Sequence, residues 1–434
     1  MEYEKFLKKN KEEMISALQE VVRINSEEGE SFVCQDETVY PFGQGIQKAF
    51  EATLDIGRRL GFQVKNVDNY GGHIDFPGTG DKIMAILGHI DVVPAGKGWK
   101  YDPYGGEIAD GKIYGRGTSD DKGPVISCLY AMKALKDAGY KPSTTIRVIL
   151  GLDEESEWTG MDYYFSKERR PDFGFTPDAD FPLINREKGI LVFELARKFG
   201  KAKSEGLDLR SVKGGNAPNS VADSCRAVLS SRDSGRYERV KEKLAEYRDE
   251  TGYKISCRGL GKSLEITTSG ISAHGAKPEA GLNAISIMMD FLGRLNFASD
   301  DQNDFISFYN QYIGFDLNGR KLGVDFEDEQ SGRLIFNVGM TEINTEAGKF
   351  TINIRYPVTY EDNQIYEPME PVLTKYDIGL VKLNSKAPLY IDENDPLITT
   401  LLEIYKKHTG DEGAEPLVTG GGTYARATGG IVAY

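Results

Sequence analysis

Two uninterrupted apolar runs constrain this chain more than anything else in it: residues 82–91 (KIMAILGHID) and 144–155 (TTIRVILGLDEE). Apolar residues without polar alternation suit a strand covered on both faces, the kind found in parallel sheets. Each run breaks off into side chains that bind metals. His89 and Asp91 end the first; Asp153, Glu154 and Glu155 end the second. Open α/β sheets place their ligands beyond the carboxyl ends of the strands. Residues two apart on extended backbone share one side, so His89 and Asp91 face the same way.

Asp120 stands between the runs, in GRGTSDDKG just ahead of a helical pattern, and Asp178 follows in TPDADFP. Taken singly these residues read as solvated or structural, and Asp120 as a plain helix N-cap. Together they offer imidazole and carboxylates, the donor types that Zn²⁺ takes.

The rest of the chain divides around these segments. With 434 residues it exceeds the size at which one core keeps growing, so two domains are expected. A helix is predicted over residues 2–25, where Met14, Ile15, Leu18, Val21 and Val22 share a face, and another over 44–60. EIADGKIYGRG reads as a hairpin turning at Asp110-Gly111. A helix should start at Pro124 and stop at Gly139. Strands alternating with helices up to about residue 190 make an α/β domain with a mostly parallel sheet. From 190 to 383 the texture changes to alternating strands such as FTINIRYPV, a glycine-rich stretch (SVKGGNAPNS) and one long helix after Pro278. That helix carries Ala284, Ile287, Met288, Phe291, Leu292 and Leu295 on one stripe. This segment reads as an inserted α+β domain. The helix, glycine-rich turn and apolar strand start that close the chain return to the first pattern, so residues 1–189 and 384–434 form one discontinuous catalytic domain.

Composition removes several functions. A formal charge of −14 argues against nucleic acid. No apolar run approaches the ~20 residues of a membrane span, and MEYEKFLKKNKEEM lacks the apolar core of a signal peptide. Cys34, Cys128, Cys225 and Cys257 lie far apart, as free thiols in a reducing cytoplasm would. The expected location is cytoplasmic.

GHIDVVP, GRGTSDDKGP, GLDEESEW and PDADFP, in this order, resemble the aminoacylase, carnosinase and carboxypeptidase G family of co-catalytic zinc exopeptidases, and most of all its PepV-type dipeptidases. The resemblance implies a metallopeptidase, a hydrolase of small peptides with two Zn²⁺ ions, acting as a monomer with an enlarged lid. It implies that His89 and Asp178 hold one zinc, that Asp120 bridges to the second, and that Glu155 binds that second ion. Asp91 would hydrogen-bond His89, Glu154 would be the general base, and the Asp120-Asp121 peptide would be cis.

The same resemblance gives roles to the insert. His274, in GISAHGAKPEAG, would reach across a cleft to the oxyanion, with Asn219 assisting; one such donor is worth roughly 3–4 kcal/mol. Arg355 would take the substrate's free carboxylate, together with backbone N–H groups at Gly420, Gly421 and Gly422. His73, His408 and Trp158 read as structural. The family's second zinc takes a histidine after the GGGTYAR-like turn, and this sequence has none beyond His408. The expectation is that the natural chain continues with the missing ligand. Two alternatives stand beside the dipeptidase: a deacylase of N-acyl amino acids, and a metal- or substrate-binding homologue impaired in catalysis.

Overall fold

The computed structural model describes residues 2–201 and 206–434. Two compact units emerge, one of residues 1–185, 391–417 and 422–434, the other of residues 186–390 and 418–421.

The two apolar runs form the middle of the first unit's sheet. Strand Ile83–His89 pairs in parallel with Thr145–Gly151 on one side and with Phe173–Thr176 on the other, and Ile431–Ala433 continues the parallel set. The flanks are antiparallel. Gly71–Phe76 and Gln63–Val67 extend the sheet beyond Thr145–Gly151, and Ile184 pairs antiparallel with Ala433. The sheet is therefore mixed, with a parallel centre, where the sequence suggested a mostly parallel one. The central strands are mostly apolar and buried toward their carboxyl ends, whereas Gln63–Val67, at the edge, is largely exposed.

Helices Lys11–Val22, Gln44–Arg59 and Lys122–Asp137 supply the cover, burying Val21, Phe50, Leu54, Val125 and Leu129 completely. Each large apolar side chain so buried contributes about 1.5–3 kcal/mol. Two helix predictions need correction. The first helix is interrupted at Asn10, leaving Glu2–Lys9 and Lys11–Val22. The helix expected from Pro124 starts at Lys122, with Asp121 as N-cap, so Pro124 is the third helical residue, where its missing N–H is still no loss. The hairpin forms as read, with positive φ at both Asp110 and Gly111.

The second unit carries an eight-stranded antiparallel sheet in the order Lys254–Leu260, Ser263–Ser269, Ser224–Ser230, Asp208–Gly214, Ile335–Ile343, Ala347–Tyr356, Gly189–Lys198, Gly379–Lys386. Along Ala347–Tyr356, Phe350, Ile352 and Ile354 join one core with Phe291 and Phe305 from the helices; Thr351, Asn353 and Arg355 take the other face. The long helix expected after Pro278 is short. A 3-10 turn covers Pro278–Ala280, the α-helix runs only Ala284–Leu292 with Asn283 as N-cap, and Leu295 lies beyond it. Gly293 closes it. Its residues are buried nearly all round, which explains the apolar density that suggested a longer stripe.

Among the described residues the four cysteines are free thiols, and no helix is long and apolar enough to cross a membrane.

Candidate active site

Two parallel strands end level with one another, His89 opposite Gly151 in the register. The residues beyond those ends build the site, and His89 is its centre, only 1% exposed. Its Nε2 lies 3.1 Å from Asp120 Oδ1 and 3.7 Å from Asp178 Oδ2. Its Nδ1 lies 3.0 Å from the main-chain carbonyl of Asp91 and 3.4 Å from that residue's Oδ1. The sequence led us to expect the Asp91 carboxylate as the partner. The nearer carbonyl takes that role, and Asp91 Oδ2 instead accepts the N–H of Glu155 at 2.9 Å, tying the two strand-end loops together. With Nδ1 occupied, Nε2 is the nitrogen that faces the acids, which is how a ligating histidine is oriented.

The acids crowd one another. Burial, against the pull of His89 and with the negative charges of Asp178, Asp91 and Glu155, holds the Glu154 carboxyl well above its ordinary pKa. Glu155 is pushed up to about 7; the residue as a whole is exposed, yet burial among its neighbours is the first cause and the charge of Asp120 the next. For His89 burial lowers the pKa, but the hydrogen bond with Asp120 and the nearby Asp91 carboxylate outweigh it and hold the ring well above its usual value. The same hydrogen bond lowers Asp120.

Does this arrangement fit a metal ion? Buried charges are tolerated when they are paired or coordinate a cation. Glu154 Oε1 is buried with no hydrogen-bond partner, and Asp91 Oδ1 likewise makes no hydrogen bond. His89, Glu154 and Asp178 offer ligand atoms that all lie within 4.8 Å of one another. An imidazole nitrogen, two carboxylates and an acidic surround compose a divalent-cation site by donor chemistry. The residues fit. Asp120 joins His89 as expected, whereas Glu154, assigned from sequence to proton transfer, stands within this ligand group and Glu155 does not.

Four residues beneath the site had no catalytic assignment. The peptide Asp120-Asp121 is cis, as the resemblance implied, and Asp121, fully buried, accepts the N–H of His89 at 3.1 Å. Asp153 is gripped by Thr159 Oγ1 and Gly160 N–H, both at 2.9 Å, and by the Tyr424 hydroxyl at 3.1 Å. Tyr424 lies so close over Gly151 that a Cβ there would meet its ring at 2.1 Å, which requires glycine at that strand end. Trp158 does more than pack: with φ at +65° it turns its indole N–H onto the Glu154 carbonyl at 2.7 Å. The only hints in the sequence were an aspartate ahead of Glu-Glu and a tyrosine within GGGTYAR.

In the second unit, Asn219 and His274 come together. Ser220 and His274 form an antiparallel bridge, with Gly275 N–H donating to Asn219 O at 2.7 Å and Val221 N–H to Ala273 O at 2.9 Å. Burial first, then the charges of Arg355 and Lys277, lower the His274 pKa. Arg355 is 5% exposed and donates from Nε to Asn353 Oδ1 at 2.9 Å. Gly420 packs close to Ala276, two residues from His274. Gly422 belongs with the first unit.

Residues 85–433 match the model of peptidase family M20/M25/M40. The chain belongs to this family. M20/M25/M40 members are metal-dependent hydrolases of peptide bonds, which agrees with the acid-lined centre at His89. A relative named Beta-Ala-Xaa dipeptidase, from Lactobacillus delbrueckii subsp. lactis, is 35% identical over 432 residues, covering 98% of this chain and 89% of its own. Two solved structures share the fold. The metallo-carboxypeptidase Sso-CP2 of Sulfolobus solfataricus aligns at a TM-score of 0.54 with 16% identity, over 97% of this chain and 90% of that one. Human carnosine dipeptidase 1 aligns at 0.53 with 15% identity, over 100% and 91%.

Proposed function

We propose that this protein is a dipeptidase with two zinc ions, held by His89 and Asp178 on one side and Glu155 on the other, with Asp120 between them. The observation that carries it is the convergence of Asp120 and Asp178 on His89 Nε2 beside the unpartnered Glu154 oxygen. When bound, such ions lower the pKa of a water toward about 7 and polarise the scissile carbonyl.

The protein's own groups do the rest. Glu154, with its raised pKa and free oxygen, takes the proton of the attacking water and passes it to the leaving amine. His274 and Asn219 donate to the oxyanion. Arg355, with the backbone at Gly420, Gly421 and Gly422, receives the substrate carboxylate. The relative that cleaves Beta-Ala-Xaa dipeptides supports a substrate with a free amine and a free carboxylate. Comparing a free dipeptide with its N-acetylated form tests this: preference for the acetylated compound would make the protein a deacylase.

The grouping of Glu154 with His89 and Asp178 favours a second reading, in which Glu154 is itself a ligand. Metal analysis of Glu154→Gln separates the two. Unchanged zinc content with lost turnover supports the base, and loss of one equivalent of metal supports the ligand.

A further inference from the structure

Asn219 and His274 lie on exposed loops, yet oxyanion donors work only if fixed before the reaction. What fixes them is a buried side chain on the sheet beneath. Asn337, in the strand Ile335–Ile343, is 2% exposed, and its Nδ2 donates to the carbonyls of Pro218 at 2.9 Å and Ser220 at 3.1 Å. These carbonyls bracket Asn219, whose own carbonyl accepts the Gly275 N–H. Three successive carbonyls are thus tied down, and the middle tie is the bridge that carries His274.

The strand is shaped for the loop. Its pairing shifts register between Val338 and Met340, and at Gly339 a Cβ would meet the Pro218 carbonyl at 2.3 Å and that of Ala217 at 2.5 Å. Gly215, at φ +72°, returns the contact, for a Cβ there would meet Gly339 O at 1.8 Å. Directly across the strand pair from Asn337 is Asn353, the residue that accepts from Arg355.

We propose that Asn337 is a positioning residue of this enzyme: it acts through the Asn219–His274 pair and sets that pair on the same strand pair that carries Arg355. The inference rests on the oxyanion role given to His274 above. Asn337→Ala is expected to lower kcat about 10–100-fold with KM within about twofold of the parent. In a His274→Ala background the same change costs less than about threefold, because its target is already gone. Equal losses in both backgrounds overturn the proposal, since a merely structural asparagine weakens every variant alike.

A second readout does not depend on catalysis. The chain has four histidines, so their C2 protons can be resolved by proton NMR of the metal-free protein. Asn337→Ala should move the His274 signal and leave those of His73 and His408 in place; a stationary His274 signal refutes the inference. If His274→Ala leaves kcat unchanged, the oxyanion role fails, and the NMR result alone decides the positioning. If Asn337→Ala does not accumulate folded, Asn337→Leu keeps the side chain's bulk while removing the Nδ2 donor to Pro218 and Ser220. It enters the same cycle with the same criteria.

Discussion

Beyond the strand ends at His89 and Gly151, the first unit gathers six acids, Asp91, Asp120, Asp121, Glu154, Glu155 and Asp178, around one histidine and leaves Glu154 Oε1 and Asp91 Oδ1 without hydrogen bonds. On the polar face of the second unit, Asn337 is spent on two carbonyls and Asn353 on the Arg355 guanidinium. Unpaired buried carboxylates are expensive unless a cation answers them, whereas satisfied amides hold their geometry unaided. The first region is built around something it must bind. The second is finished by the chain itself, as suits the oxyanion and carboxylate roles proposed for its neighbours.

Metal removal should expose this contrast most widely. Stripping with a chelator should abolish dipeptide hydrolysis, by more than about 10⁴-fold, and zinc should restore it. Near-infinite dilution of metal with full turnover retained, checked by elemental analysis, would sink the reading of the first region. Binding should also raise its stability, by about 2.7 kcal/mol at a hundredfold excess over Kd.

Glu154→Gln comes next. We expect kcat to fall about 10²–10⁴-fold. Because the folded, metal-free protein penalises the ionisation of this carboxyl, which the unfolded chain does not, and a neutral amide removes that penalty, the metal-free variant should resist denaturant better than the metal-free parent at neutral pH. A variant less stable than the parent would show that the acids do not strain one another.

The second region should give smaller and more divided effects. His274→Ala should lower kcat by about 10²–10³-fold. Arg355→Met should act on KM, by about 10–100-fold, through a lost charge-assisted contact worth about 1.5–3 kcal/mol. Neither should alter zinc content. A loss of metal in either variant would erase the distinction between the regions.

What could be read from the sequence divides along the same line. His89, Asp91, Glu154 and Glu155 were legible because an unbroken apolar run announces a buried strand, and the strand's end announces a site. Asp120 and Asp178 were legible through short motifs in a fixed order. Asn337 and Tyr424 were not, because each is a single polar residue whose partners lie far away: Pro218 is 119 positions from Asn337, and Asp153 is 271 from Tyr424. No local pattern encodes such pairings. The antiparallel flanks of the first sheet and the short helix at Ala284 escaped for a related reason, since apolar density reports burial but not strand direction or helix length.

His73 tests whether the first unit's imbalance is confined to its metal centre. It lies in the strand Gly71–Phe76, 5% exposed, with Nδ1 2.8 Å from the Tyr164 hydroxyl and Nε2 3.8 Å from Asp75 Oδ2. Asp75 is already held by Arg147 through two hydrogen bonds of 2.9 and 2.8 Å. Burial, then the charge of Arg147, lowers the ring from 6.5 to about 4, although Asp75 pulls the other way. Here, away from the acids around His89, the protein closes its own polar group and keeps it neutral. Unfolding releases that constraint, so between pH 6.5 and 4 the unfolded chain binds a proton that the folded one refuses. The contribution is fully present above pH 6.5, shrinks as pH falls through that window, and amounts to about 3 kcal/mol. Denaturant midpoints of the metal-free parent and of His73→Gln, measured from pH 4 to 7, should therefore converge toward acid, the parent losing more stability than the variant. Parallel curves would mean that His73 is protonated in the folded state.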